Sequence, residues 1–94
     1  MIVAVLGGGK IGEAVARSVA KSQDIAKVII TKRNTSTLKS FQQDGKVTIT
    51  QDNKKAARDS DLIIIAVKSG DAKHVLGEIS EFVSDKIVIS LMAA

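Results

Sequence analysis

The sequence contains no cysteine, no proline, no tryptophan and no tyrosine. Without cysteine there can be no disulfide framework, no thiolate zinc site and no cysteine nucleophile. Aromatic residues make up 2% of the chain, Phe41 and Phe82 alone. Both sit where helical spacing predicts a core position, so the stacking platforms that bind single-stranded nucleic acid are missing. Long apolar runs are missing as well. Leu62 to Val67 and Ile2 to Leu6 are the longest, far below the ~20 residues of a membrane span. No basic residue precedes Ile2 to Leu6, as a secretory signal requires. These absences predict a soluble, cytoplasmic protein that has neither a membrane nor a nucleic acid as its partner.

The 94 residues allow one domain. Hydrophobic residues are 45% of the chain and charged residues 26%, a balance that can bury enough apolar surface to offset lost conformational freedom. Fourteen Lys and Arg against ten Asp and Glu give a net charge of +4, which favours an anionic ligand. The cations scatter from Lys10 to Lys86 instead of forming one stripe, a further argument against nucleic acid.

Four apolar, β-branched runs punctuate the chain: Ile2 to Leu6, Val28 to Thr31, Leu62 to Val67 and Ile87 to Leu91. None alternates apolar with polar, so each is expected to be a strand covered on both faces, the habit of parallel sheets flanked by helices. Val47 to Thr50 is shorter and alternates, as an edge strand does. Helical spacing lies between the runs. Ile11, Val15 and Val19 recur every fourth residue among small alanines. Leu38 and Phe41 mark a helix over 36–43, Asn53 to Arg58 a short turn started by Asp52 or Asn53, and Val75, Ile79 and Phe82 a helix over 71–83 capped by Ser69 or Asp71. No linker, low-complexity tract or repeat is present. The alternating order predicts an α/β fold, a Rossmann-like doubly wound parallel sheet of about five strands with flanking helices.

Gly7-Gly8-Gly9-Lys10-Ile11-Gly12 is a G-x-G-x-x-G placed directly after the first strand and opening the first helix. In that context it is the fingerprint of a dinucleotide site. Gly7 permits the tight exit from the strand, Gly9 admits a pyrophosphate to the backbone, and Gly12 brings helix and strand close. Free amides around Gly9, Lys10 and Ile11 then form an anion site at the positive end of the helix dipole. The plainer alternative is a glycine-rich turn that merely connects two elements. A Walker-type loop is excluded, because no Gly-Lys-Ser/Thr follows at the required spacing.

An NAD-preferring site places a carboxylate at the end of the second strand. Here that strand runs through Thr31 into Lys32, Arg33 and Asn34, and no carboxylate occurs between Ala26 and Gln43. Two cations suit the extra 2′-phosphate of NADP (as NADPH) over NAD, Arg33 with a planar donor fork and Lys32 with a point charge. Charge-assisted contacts of ~1.5 to 3 kcal/mol each supply tens- to hundreds-fold preference; a solvated basic turn is the alternative. Further contacts are expected at the carboxyl ends of the first, fourth and fifth strands. Lys68 there is either a phosphate or ribose partner or an ordinary exposed lysine. His74 is placed away from the crevice, as a surface or packing residue. No catalytic or metal-ligating residue is assigned.

Four stretches together carry a resemblance: Gly7 to Ala14, Asp52-Asn53-Lys54-Lys55-Ala56, Ser60 to Lys68, and Ile87 to Ser90. They are similar to the amino-terminal domain of pyrroline-5-carboxylate reductases, which make proline by passing a hydride from NAD(P)H to a cyclic imine. The resemblance implies that Asn53, Ala66, Val67 and Lys68 line the cofactor. It also implies that Lys32 to Asn34 meet the adenosine phosphate and that Leu91, Met92 and Ala93 approach the nicotinamide. Ser69 and Gly70 replace the proline customary after the family lysine, and Leu91 to Ala94 stand where small residues and a glycine are usual. Deazaflavin-dependent NADP reductases and prephenate dehydrogenases share much of the pattern. In the family a further, all-helical domain forms the dimer and holds the imine. The 94 residues are therefore expected to bind the dinucleotide with little or no turnover of their own, as a cofactor domain or as a free-standing module. They are also expected to self-associate through the apolar edge of the last strand or through surfaces that the helical domain covers in the family.

Overall fold

Every residue from Val3 to Leu6 is fully buried, because β1 (Ile2–Leu6) lies in the middle of the sheet. The computed structural model describes residues 1–7, 9–32 and 45–91. Along the chain β1 is followed by α1 (Lys10–Ala20), β2 (Lys27–Thr31), β3 (Val47–Thr50), α2 (Asn53–Asp59), β4 (Leu62–Ile65), α3 (Ser69–Ile79), a 3-10 turn (Ser80–Phe82) and β5 (Ile87–Ser90). The strands form one parallel sheet in the order β3-β2-β1-β4-β5. The chain leaves β1 in one direction and returns past it to β4, which makes the doubly wound, Rossmann-like fold expected from the sequence. The helix expected over 36–43 lies outside the described residues.

The lack of alternation in the strands has a direct cause. Val3, Val5, Val28, Ile30 and Ile64 face one side of the sheet with Ala16 of α1, while Ala4, Leu6, Ile29, Ile63 and Ile65 face the other with Ala56, Ala57, Val75 and Ile79. Both faces of the central strands are thus removed from water, so apolar side chains are favoured at every position. Asp61 sets the register at the lower end: its backbone N–H donates to Ile2 O and its carboxylate accepts from Ile2 N, both at 2.8 Å.

Local differences from expectation are informative. The stripe of α1 facing the sheet is centred on Gly12 and Ala16, with Val15, Val19 and Ala20 beside it. Ile11 is 48% exposed, because the first turn projects past the end of β1. Asp52, not Asn53, caps α2 by accepting from Lys55 N at 3.1 Å. Neither Ser69 nor Asp71 precedes α3. The helix opens at Ser69 with Lys68 at the cap position and no side-chain cap, and Asp71 lies in the first turn, where its charge favours the helix dipole. It stops at Ile79, and the Ser80 hydroxyl donates to Gly77 O at 3.2 Å, competing with the backbone ladder where the chain tightens into the 3-10 turn carrying Phe82. Finally, among the described residues β5 pairs with β4 alone, and all four of its residues are exposed. The expectation of a strand covered on both faces fails there, and that of an apolar edge holds.

Candidate functional site

The carboxyl ends of β1, β2 and β4 open into a cleft of about 550 Å³. It lies where the strand order reverses, between β1 and β4, the position at which parallel sheets of this kind bind ligands. Gly7, Gly9, Thr31, Lys32, Asn53, Ala66, Val67 and Lys68 all line it.

The floor is the glycine turn. Gly7 has φ +103°, a left-handed conformation that L side chains rarely adopt, and a Cβ there would stand 2.8 Å from Val67 Cγ1 and 2.9 Å from Val67 N. Gly12 is buried, and a Cβ on it would overlap the Gly7 carbonyl. These two glycines let turn, helix and β4 meet. Gly9 differs: a Cβ would find no atom within 4 Å, so the space it leaves is open to the cleft. Gly9 O accepts from Glu13 N at 2.8 Å as the first bond of α1. The amides of the opening turn, at Lys10, Ile11 and Gly12, have no carbonyl one turn back to satisfy them. The bare backbone therefore offers donors and a positive dipole end to an anion.

The side walls come from β2 and α2. Thr31, 2% exposed, joins three segments: Gly7 N donates to its carbonyl at 3.1 Å and to its hydroxyl oxygen at 3.3 Å, and the hydroxyl donates to Asn53 Oδ1 at 2.6 Å. Lys32 follows, half-buried, with its N–H on Thr50 O at 3.2 Å. Lys68, exposed at the end of the β4 segment, supplies a second cation.

Sequence reasoning missed one wall. Gln51, Asp71, His74, Val75 and Glu78 also line the cleft. This corrects the placement of His74 away from the crevice. α3 starts at the rim, so the flank carrying residues 71, 74, 75 and 78 overlooks the opening, and helical spacing from Lys68 is the signal that identifies them. His74 Nε2 and Glu78 Oε1 are 3.2 Å apart, with the histidine side chain 75% exposed. A shallower concavity of about 570 Å³ adjoins at the outer end, where it shares Gln51, Asn53 and Glu78.

The remaining expected residues fall elsewhere. Lys10 and Ile11 are exposed and are not among the residues lining the cleft, so what they can offer a ligand is their backbone amides. Leu91 continues the sheet, its N–H on Ile65 O at 2.8 Å, beyond the cleft lining. Arg33, Asn34, Met92 and Ala93 lie outside the described residues. Among the described residues no helix is long and apolar enough to cross a membrane.

A family model described as NADP oxidoreductase coenzyme F420-dependent matches residues 2–94. Pyrroline-5-carboxylate reductase 1 of Dictyostelium discoideum is 30% identical over 94 residues, covering 97% of this chain and 17% of that protein. The crystal structure of Plasmodium falciparum pyrroline carboxylate reductase with NADP bound is 26% identical with a TM-score of 0.80, over 98% of this chain and 33% of that one. The reductase from Coxiella burnetii is 27% identical with a TM-score of 0.82, over 98% of this chain and 35% of that one. The chain thus spans about a third or less of the length of these relatives. With the fold, the glycine turn and the match over residues 2–94 in agreement, the chain belongs to the family described as NADP oxidoreductase, coenzyme F420-dependent, within the NADP-binding Rossmann oxidoreductases.

Proposed function

We propose that this chain is the NADP(H)-binding part of a reductase that passes hydride to a small cyclic imine, with pyrroline-5-carboxylate converted to proline as the reaction. The observation that carries the proposal is the open space over Gly9, bounded by free helix-start amides and flanked by Lys32 and Lys68. A dinucleotide pyrophosphate fits this donor set because it presents only acceptor oxygens and negative charge. Likeness to the two pyrroline carboxylate reductase structures, at 26% and 27% identity, supports the imine as substrate class.

When bound, the nicotinamide supplies the hydride. The residues of this chain supply position. The Gly9 to Gly12 turn would hold the pyrophosphate, Lys32 with Arg33 and Asn34 would meet the 2′-phosphate, and Ala66, Val67 and Lys68 with Leu91, Met92 and Ala93 would contact the rest of the dinucleotide. Such orientation converts an encounter of two reactants into a fixed geometry and lowers the barrier without a charged catalyst. The imine site and full activity belong to helical structure additional to this cofactor half, and the exposed β5 edge lets copies self-associate.

Calorimetric titration of the chain with NADPH and NADH tests the reading. Binding of NADPH at least tenfold tighter than NADH is expected, and absence of binding by both would overturn it. Steady NADPH consumption with pyrroline-5-carboxylate by the 94 residues alone would overturn the division of labour.

A further inference from the structure

Thr31 is almost fully buried, yet its hydroxyl is committed at both ends. The oxygen accepts from Gly7 N at 3.3 Å, and the proton goes to Asn53 Oδ1 at 2.6 Å. The chemistry of the groups fixes these directions. A hydroxyl has one proton to give, whereas an asparagine amide has one acceptor oxygen and two donor hydrogens. If the Asn53 amide were reversed, Thr31 Oγ1 would face two donors, and its own proton would have no acceptor in the trio. At 2% exposure that orphaned donor would be costly. The arrangement therefore turns the Asn53 oxygen toward Thr31 and leaves its Nδ2 hydrogens for the cleft that Asn53 lines.

We propose that Thr31 is a positioning residue that acts through Asn53: its buried hydroxyl locks the Asn53 amide as a donor, so that this point of the cleft selects an oxygen acceptor on the ligand. The inference rests on the nucleotide reading of the cleft and assigns the step by which the end of β2 communicates with the start of α2. Two acceptors on an adenosine moiety have that chemistry, a ribose oxygen and an oxygen of the 2′-phosphate, and they are separable by experiment. Thr31 borders the cleft but is only 2% exposed, and its hydroxyl is taken up by Gly7 N and Asn53 Oδ1. The hydroxyl therefore acts on a ligand through the groups it holds, and Asn53 is the one whose side chain lines the cleft. Gly7 keeps its bond to the Thr31 carbonyl at 3.1 Å when the hydroxyl is removed, so the glycine turn survives the change.

The test compares Thr31→Val, which keeps the shape and removes the hydroxyl, with Thr31→Ser, which keeps the hydroxyl. NADPH and NADH are titrated by calorimetry, and the Asn53 side-chain amide is followed by heteronuclear NOE in the ligand-free protein. The valine variant should bind NADPH about tenfold more weakly, as expected for a misdirected donor to a charged or polar oxygen, and the serine variant should stay within about twofold of the parent. A loss shared by NADH assigns the ribose oxygen, and a loss confined to NADPH assigns the 2′-phosphate. In the free protein the Asn53 amide should lose order with valine and keep it with serine. Asn53→Asp is the second variant. It still accepts from Thr31 but turns a carboxylate oxygen toward the cleft, and it should weaken NADPH at least about tenfold. An Asn53 amide equally ordered in the valine and parent proteins would overturn the proposal, as would unchanged NADPH affinity in Thr31→Val. If the parent binds neither dinucleotide, the nucleotide reading fails separately, and the NOE comparison still decides whether Thr31 holds Asn53.

Discussion

Gly12 lies against Gly7 so closely that a Cβ at position 12 would overlap the Gly7 carbonyl oxygen and stand 3.4 Å from the Cβ of Ala66. The obstacle is backbone, which has no rotamer to escape into. Gly12→Ala must therefore push α1 away from the end of β1 and open the packing of Ala16 beneath it. The expected cost is about 3 kcal/mol or more, at the upper end for overpacking. Urea unfolding of the variant measures it, and a midpoint equal to that of the parent would contradict the close approach.

Gly9→Ala is the complementary case. Gly9 has φ −73° and ψ −169°, a conformation open to any residue, and a Cβ there meets nothing. Stability should change by no more than about 1 kcal/mol, the scale of replacing a helix N-cap. The new methyl, however, enters the space left for the pyrophosphate. NADPH affinity is expected to fall at least about tenfold with the fold intact, and calorimetry beside a thermal melt reads both quantities.

Much of this is legible in the sequence. The β-branched runs named β1, β2 and β4 because two-sided burial leaves no polar alternation, and they named β5 although its residues are exposed. The glycines named the crevice because Gly7 and Gly12 each solve a local steric problem and Gly9 leaves open space. The α3 wall was not legible. Val75 and Ile79 announce which face meets the core, but only the starting point of the helix, at the rim of the cleft, puts Asp71, His74 and Glu78 over the opening. The link from Thr31 to Asn53 was hidden for a related reason. It joins residues 22 apart in sequence, and their meeting depends on how β2, β3 and the start of α2 are set side by side. Ile11 misled because periodicity does not show where the sheet beneath a helix ends.

Lys32 gives a charge-specific prediction. It is half-buried at the end of β2, where an NAD site would carry a carboxylate. Lys32→Ala should weaken NADPH by about tenfold or more while changing NADH by no more than about threefold. Equal losses for the two dinucleotides would show that the lysine meets a group common to both. Raising the salt concentration should shrink the difference, because a partly exposed charge pair is screened.

Lys86 serves the scaffold and not the cleft. Its ammonium donates to the carbonyls of Ala57, Arg58 and Ser60 at 2.5, 2.7 and 2.6 Å, closing the carboxyl end of α2 and tying it to the approach to β5. A cation also opposes the negative end of the helix dipole there. Lys86→Met keeps the apolar stem and removes all three bonds, so a loss of about 2 kcal/mol is expected. NADPH affinity, measured well below the melting temperature, should be unchanged.

The β5 edge is where the proposed self-association would run. Ile87, Val88 and Ile89 are 59%, 39% and 43% exposed, and among the described residues the strand pairs on one side only, with β4. Unpaired backbone groups beside exposed branched side chains make a template for another strand. Ile89 pairs with the buried Ile64 of β4 but is itself 43% exposed, so a lysine there can carry its ammonium into water. Ile89→Lys should therefore leave the fold stable to within about 1 kcal/mol and shift the sedimentation profile toward monomer at high concentration. If parent and variant sediment identically as monomers, association does not run through this strand.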